Sequence, residues 1–116
     1  MRLEPRTRVE VFIPVREDEL AYQVISQRVA EEFAFERGGS TVTTTFVGLY
    51  ASPSTGQVVR DRVQIIFTDV LVESADPSDL NELIEGLDFL RTDIEQMLSD
   101  EEEIWVTISP IEIIRR

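Results

Sequence analysis

The feature that most constrains the fold is a pair of β-branched runs separated by a turn sequence. The first run spans residues 41–51, and the second spans residues 58–72. Between them, residues 52–57 read Ser-Pro-Ser-Thr-Gly-Gln, in which proline and glycine supply backbone angles that strands do not use. The pattern predicts one long β-hairpin from Thr41 to Val72.

A strand and a helix precede this hairpin. Apolar and polar residues alternate over residues 8–15, which predicts a strand, with residues 1–7 as a loose lead-in. Acidic residues at positions 17–19 and an apolar stripe at spacings of three and four then predict a helix. Gly38 and Gly39 end that helix, because one of them can adopt the left-handed conformation that closes a helix.

A second helix and a final strand follow the hairpin. Asp76 as the N-cap and Pro77 at the first helical position mark the start of the helix, whose apolar stripe extends to Leu98. Apolar residues alternate again over positions 104–108 in the last strand. Pro110 places that strand at a sheet edge, because proline cannot donate a ladder hydrogen bond.

The order strand, helix, strand, strand, helix, strand predicts an α+β fold of the ferredoxin-like type, βαββαβ. Right-handed crossovers give a four-stranded antiparallel sheet with both helices on one face. The last strand and the first strand of the hairpin then lie at the two edges. We expect residues 1–116 to form a single domain, since a chain of this length builds one core.

One pairing across the hairpin turn keeps the apolar side chains of both strands in phase. It places Phe46 opposite Val63 and Val42 opposite Phe67, on the side that we expect to face the core. Asp61 falls on the same side, as the one carboxylate in this apolar row. A buried carboxylate needs a hydrogen-bonding or ionic partner.

We call the side of the sheet that the helices leave uncovered the open face, and the sequence predicts that it is half apolar. Apolar faces larger than a few hundred Å² seldom remain bare on a monomer. We therefore predict a homodimer through the open face, with a small ligand or another protein as the alternative occupant. The candidate interface or ligand residues are Phe12, Val47, Leu49, Arg60, Arg62, Ile66 and Trp105.

The residue types that are missing limit the chemistry. The chain has no cysteine, no histidine and no lysine, since all 11 of its basic residues are arginine. Thiolate and imidazole ligands, the commonest general base and a Schiff-base lysine are therefore excluded. The Asp100–Glu103 acidic run lacks the spacing of a calcium loop, so we expect a solvated linker, no metal site and no cofactor.

The charge of the chain excludes other partners. Its formal net charge is −12, and nucleic acids and anionic lipids are bound largely by neutralising phosphate, so we expect neither. No apolar run approaches the ~20 residues that span a bilayer. The first residues carry no apolar leader segment, and we expect a cytoplasmic protein.

Asp61 and Tyr50 form a candidate pocket near the turn end of the hairpin. In the predicted register Asp61 lies opposite Gly48, which leaves space beside the carboxylate. The functional interpretation is a pocket acid beside Tyr50. The structural alternative is a hydrogen bond from Asp61 to backbone or to an arginine.

Three short motifs resemble a pattern in small uncharacterised bacterial proteins with a ferredoxin-like fold. They are Gly-Gly-Ser-Thr at 38–41, Gly-Leu-Tyr at 48–50, and Gly-Gln-Val leading to Asp61 at 56–61. The resemblance covers residues 8–114 and implies the fold, but no activity. At the level of fold, the chain is also similar to the dimeric α/β-barrel superfamily, whose small monooxygenases and isomerases often use histidine.

Two functional hypotheses follow. The first is a non-enzymatic dimeric module that binds a small molecule or a protein, as the missing histidine, cysteine and lysine suggest. The alternative is a cofactor-free enzyme of the dimeric α/β-barrel type, with Asp61 as general acid or base. An enzyme requires a pocket that converges on Asp61, whereas a module leaves Asp61 bonded locally.

Overall fold

The computed structural model describes residues 1–16, 18–71, 77–101 and 103–116, with the side chains of residues 50 and 77 left aside. Its elements in chain order are β1 (Arg2–Pro14), α1 (Leu20–Arg37), β2 (Thr41–Val42), β3 (Phe46–Ala51), β4 (Val58–Val70), α2 (Pro77–Met97) and β5 (Val106–Arg115). Val72 and the predicted N-cap Asp76 lie outside the described residues.

The sheet is antiparallel and has the order β2-β4-β1-β5, with β3 also paired to β4. The predicted ferredoxin-like α+β fold is confirmed. The sheet has five strands rather than four, because the first strand of the hairpin is divided into β2 and β3. The prediction that the last strand lies at an edge is also confirmed, with Pro110 of β5 opposite Thr7.

The division between β2 and β3 is a shift of register. In β3, Phe46 pairs with Val63 as predicted, but in β2, Val42 pairs with Ile66 rather than with Phe67. The first strand therefore carries one more residue than its partner between the two ladders, as in a β-bulge. Residues 43–45 are all threonine, so no apolar side chain fixes the register there. The sequence pattern therefore did not reveal the shift.

Strand β1 begins earlier than predicted. Residues 2–6 are not a loose lead-in but pair with residues 111–115 of β5, as far as the pair Arg2 and Arg115. This part of the β1–β5 pair carries charged side chains on one side. There Glu4 accepts a hydrogen bond from Arg115 at 2.6 Å. Cross-strand ion pairing stabilises this extension, where alternation of apolar residues is weak.

The hairpin faces the helices with the side that was predicted to be uncovered. The core lies between that side and the two helices. Ile66 is 0% exposed and pairs with Val11, so the prediction that it lies on the open face is wrong. Val63 and Ile65 instead lie on the open face, next to Phe12. Strand β4 has apolar residues on both faces, so the sequence does not show which face is buried. A register slip of one residue would move each of its side chains to the other face.

Each helix contributes one apolar stripe to the core. The buried residues are Tyr22, Ile25, Val29 and Phe33 of α1 and Leu83, Leu87, Ile94 and Leu98, in or just after α2. Helix α1 ends as predicted, with Gly38 in the left-handed conformation at a φ of 86°. Among the described residues, no helix is long and apolar enough to cross a membrane.

Candidate functional site

A cleft of about 430 Å³ crosses the open face near the end of β1. Its floor includes the β4 side chains of Val63 and Ile65. Strand β3, together with Pro53 of the following turn, forms the outer wall. The cleft therefore lies near residue 63 of β4. On one side of that residue β4 pairs with β1, and on the other side it pairs with β3.

An aromatic pair forms the inner wall of the cleft. The rings of Phe12 and Trp105 meet edge to face, with centroids 6.4 Å apart and an interplanar angle of 68°. The backbone fixes this pair, because the amide of Phe12 donates to the carbonyl of Trp105 at 2.9 Å. Trp105 is nevertheless 59% exposed, so much of its ring surface remains available to a ligand.

One end of the cleft is acidic. Three carboxylates of the described residues line it, from Asp61 of β4 and from Glu101 and Glu103 in the loop before β5. Arg16, just beyond the end of β1, donates to both oxygens of Asp61 at 2.5 Å and 3.2 Å, and to Glu101 Oε1 at 3.1 Å. The guanidinium thus joins two strands and a loop at the point where β1 stops.

Tyr22 of α1 completes this network from the core side. Its hydroxyl donates to Glu101 Oε1 at 2.7 Å, and the Arg16 guanidinium lies 5.6 Å from the centre of its ring. Burial, followed by the bond to Glu101, raises the pKa of Tyr22. The bond to Asp61 raises the pKa of Arg16 despite its partial burial. Tyr22 therefore remains a neutral donor and Arg16 remains a cation.

Asp61 lies opposite Gly48 as predicted, but on the open-face side of β4 rather than on the core side. Besides Arg16, the backbone amide of Arg62 donates to Asp61 Oδ1 at 3.0 Å. These bonds match the structural alternative stated for Asp61. Tyr50 pairs with Val59 through the backbone, but its side chain lies outside what the structure describes.

The seven predicted interface or ligand residues fall into three places. Phe12 and Trp105 meet in the cleft, and Ile66 is in the core. The other four pair across the hairpin on the opposite face of β4 from Asp61, although Val47 and Leu49 also border the cleft. That side is exposed and holds Val47 opposite Arg62 and Leu49 opposite Arg60.

Sequence reasoning missed the network that Asp61 joins, in which Arg16 donates to Asp61 and Glu101 and Tyr22 donates to Glu101. Arg16 and Asp61 are 45 residues apart, and no local pattern links them. The pairing of β1 with β4 would have indicated this contact. Because Pro14 pairs with Val63, the same register continued by two residues brings residues 16 and 61 opposite each other. Among the described residues, no group of three or more carboxylates is arranged to hold a metal ion.

No family model and no curated protein matches this chain. Solved structures that are similar to it over most of their length include a phage lyase and a CutA protein. A phage SAM lyase in complex with S-methyl-5'-thioadenosine has a TM-score of 0.54 and 16% identity, covering 95% of this chain and 90% of the lyase. CutA from Synechococcus elongatus PCC7942 has a TM-score of 0.53 and 14% identity, covering 93% and 80% of the two chains. At these identities the likeness shows the fold alone.

Proposed function

We propose that this protein is a small-molecule-binding module and that the cleft on the open face is its ligand site. The observation that carries the proposal is the combination of apolar walls with convergent polar groups at one end. Ligand sites are typically concave and apolar with a few placed polar groups, and their volumes begin at about 300 Å³. The cleft between Trp105 and β3 has this character and size.

The bonding of Asp61 favours a binding role over the alternative of a cofactor-free enzyme. Both of its oxygens accept hydrogen bonds from Arg16. A general acid or base must release or accept a proton within reach of a substrate. A carboxylate locked to a permanently charged guanidinium is poorly suited to that exchange, but well suited to holding a site in shape.

We also propose that the protein is a homodimer through the end of the hairpin. Val47 and Leu49 are exposed there by 59% and 66%, beside the exposed Arg60 and Arg62. Apolar residues and arginine are both enriched in protein interfaces. A second copy of this chain suits the patch, because two copies can bury the exposed Val47 and Leu49 against each other.

Binding can be followed through Trp105, the one tryptophan of the chain. Its indole N–H gives a single side-chain signal in a ¹H–¹⁵N correlation spectrum. We expect 2-(1-naphthyl)ethanol, a flat neutral probe, to shift this signal in a saturable way. S-methyl-5'-thioadenosine belongs in the same titration, because the phage lyase of similar fold was solved with it.

A matched pair of variants ties the signal to the cleft. Ile65→Asp places a charge on the apolar floor and should abolish the shift. Ile114→Asp makes the same exchange on β5, at an exposed position near the far end of the sheet, and should preserve it. Absence of any saturable shift with both probes at millimolar concentration would contradict the proposed function.

A further inference from the structure

The charges around the acidic end of the cleft do not balance. Among the described residues, Asp61, Glu101 and Glu103 line it, and Arg16 donates to Asp61 and Glu101. Among these four described side chains, three carboxylates face one guanidinium, an excess of two negative charges. Tyr22 does not change this sum, because its hydroxyl keeps its proton as a donor to Glu101.

Arg16 has little capacity left for an anionic ligand. Its Nη1 donates to Asp61 and its Nη2 is shared between Asp61 and Glu101. An anion in the cleft would have to displace these carboxylates and would meet the negative charge of Glu103. The guanidinium is therefore a structural group that holds two of the carboxylates lining the cleft, and not a free anion receptor.

Glu101 offers an acceptor to the cleft. Its side chain is only 9% exposed, and its Oε1 already accepts from both Arg16 and Tyr22. Within the described part of the chain, no donor reaches its Oε2. A carboxylate has about four acceptor positions, so this oxygen can take a hydrogen bond from a ligand. Its burial weakens screening by water and strengthens attraction to a cation.

We infer that the ligand of this cleft is an organic cation, with a flat apolar body between Trp105 and β3 and a protonated amine or similar group against Glu101 and Glu103. This inference rests on the proposed function, because it assigns a ligand class to the same cleft. The aromatic wall agrees with it, since the face of an indole attracts cations as well as apolar rings.

Three probes with the same body and different charge test the inference. They are 2-(1-naphthyl)ethylamine, 2-(1-naphthyl)ethanol and 1-naphthylacetate, titrated at pH 7 and followed by the Trp105 indole signal. We expect the amine to bind about threefold to tenfold more tightly than the alcohol, and the acetate to bind most weakly. Repeating the titration at higher salt should narrow the difference.

Charge-neutralising variants locate the preference. Glu103→Gln should reduce the ratio of amine to alcohol affinity by about threefold or more, and Glu103 is exposed, so this change leaves the fold intact. Glu101→Gln should reduce the ratio further. Glu112→Gln removes the same charge from an exposed site on β5 outside the cleft and should leave the ratio unchanged.

The outcomes separate the two proposals. If the alcohol or the acetate binds as tightly as the amine, the cleft remains a ligand site but the inference of a cation is overturned. An unchanged ratio in Glu103→Gln and Glu101→Gln overturns it as well. If none of the three probes shifts the Trp105 signal, the proposed function itself fails.

Discussion

Arg16 and Asp61 form a two-pronged ion pair across the end of the sheet, with Nη1–Oδ1 and Nη2–Oδ2 distances of 2.5 Å and 3.2 Å. The pair continues the alignment of β1 and β4 past the last paired residue, Pro14. The Arg16 side chain is 31% exposed and that of Asp61 is 14% exposed. The same guanidinium reaches Glu101, so that one cation holds two partly desolvated carboxylates in place.

The first prediction concerns this ion pair. Arg16→Met should lower the free energy of unfolding by about 2 kcal/mol, because Asp61 and Glu101 are left partly buried without their cation. The partial exposure of Arg16 keeps the cost below that of a fully buried pair. Urea unfolding at pH 7 measures the change.

Arg28→Met is the control, since Arg28 is exposed on α1. It should change the free energy of unfolding by less than about 0.5 kcal/mol. Adding Asp61→Asn to Arg16→Met should recover part of the loss, because the unpaired charge is removed. Equal stability of the two arginine variants would show that the ion pair contributes nothing.

The second prediction concerns the ionisation of Tyr22. Burial and the bond to Glu101 raise its pKa, so in a Tyr50→Phe background the one remaining tyrosine should titrate above the usual value of about 10. Absorbance at 295 nm against pH measures this. An ordinary tyrosine titration in the folded protein would contradict the burial and bonding described for Tyr22.

The same shift has a consequence for stability. Above about pH 10, the unfolded chain loses the tyrosine proton while the folded chain retains it. The contribution of Tyr22 is thus fully present below that pH, and it falls as the pH rises toward the folded pKa. Tyr22→Phe should flatten this alkaline loss in urea unfolding, whereas Tyr50→Phe, the matched control, should leave the slope due to Tyr22 in place.

The third prediction tests which side of β4 faces the core. Ile66→Ala should cost about 2 to 5 kcal/mol, because Ile66 is fully buried between the sheet and the helices. Ile65→Ala, on the half-buried open face, should cost about 1 kcal/mol. Urea midpoints of the two variants measure the difference, and a larger loss for Ile65 would reverse the assignment of faces.

The fourth prediction concerns assembly. Leu49→Glu should convert the proposed dimer to a monomer, because it places a like charge in an interface between two acidic chains. Static light scattering at micromolar concentration measures the mass. Phe35→Glu is the matched control, since Phe35 is 88% exposed on α1 and should leave the mass unchanged. A monomeric unsubstituted protein would contradict the proposed dimer.

Much of the fold was predictable because it depends on local signals. The strand and helix order follows from two periodicities, and Gly38 marks the end of α1 through a conformation that other residues avoid. The pairing of Phe46 with Val63 follows from the turn, which fixes the register of the residues nearest to it. These features require no knowledge of distant contacts.

The cleft was less predictable because it depends on tertiary contacts. The adjacent Ile65 and Ile66 gave the sequence no means of choosing the core side of β4. Arg16 could pair with any of the 23 acidic residues, and only the alignment of β1 with β4 selects Asp61. The edge-to-face contact of Phe12 and Trp105 follows from the backbone pairing just before β5, which no local pattern reveals.

The register shift between β2 and β3 decides which side chains of β3 face the cleft. Val42 and Phe46 are four positions apart and would share a face in an unbroken strand, yet Val42 pairs with core-facing Ile66 and Phe46 with cleft-facing Val63. If the first strand continued the register of β2 without the bulge, Phe46 would lie opposite Arg62 and would turn away from the cleft. A strand of the same length that paired without the bulge would therefore place Val47 rather than Phe46 in the outer wall, even with every cleft side chain retained.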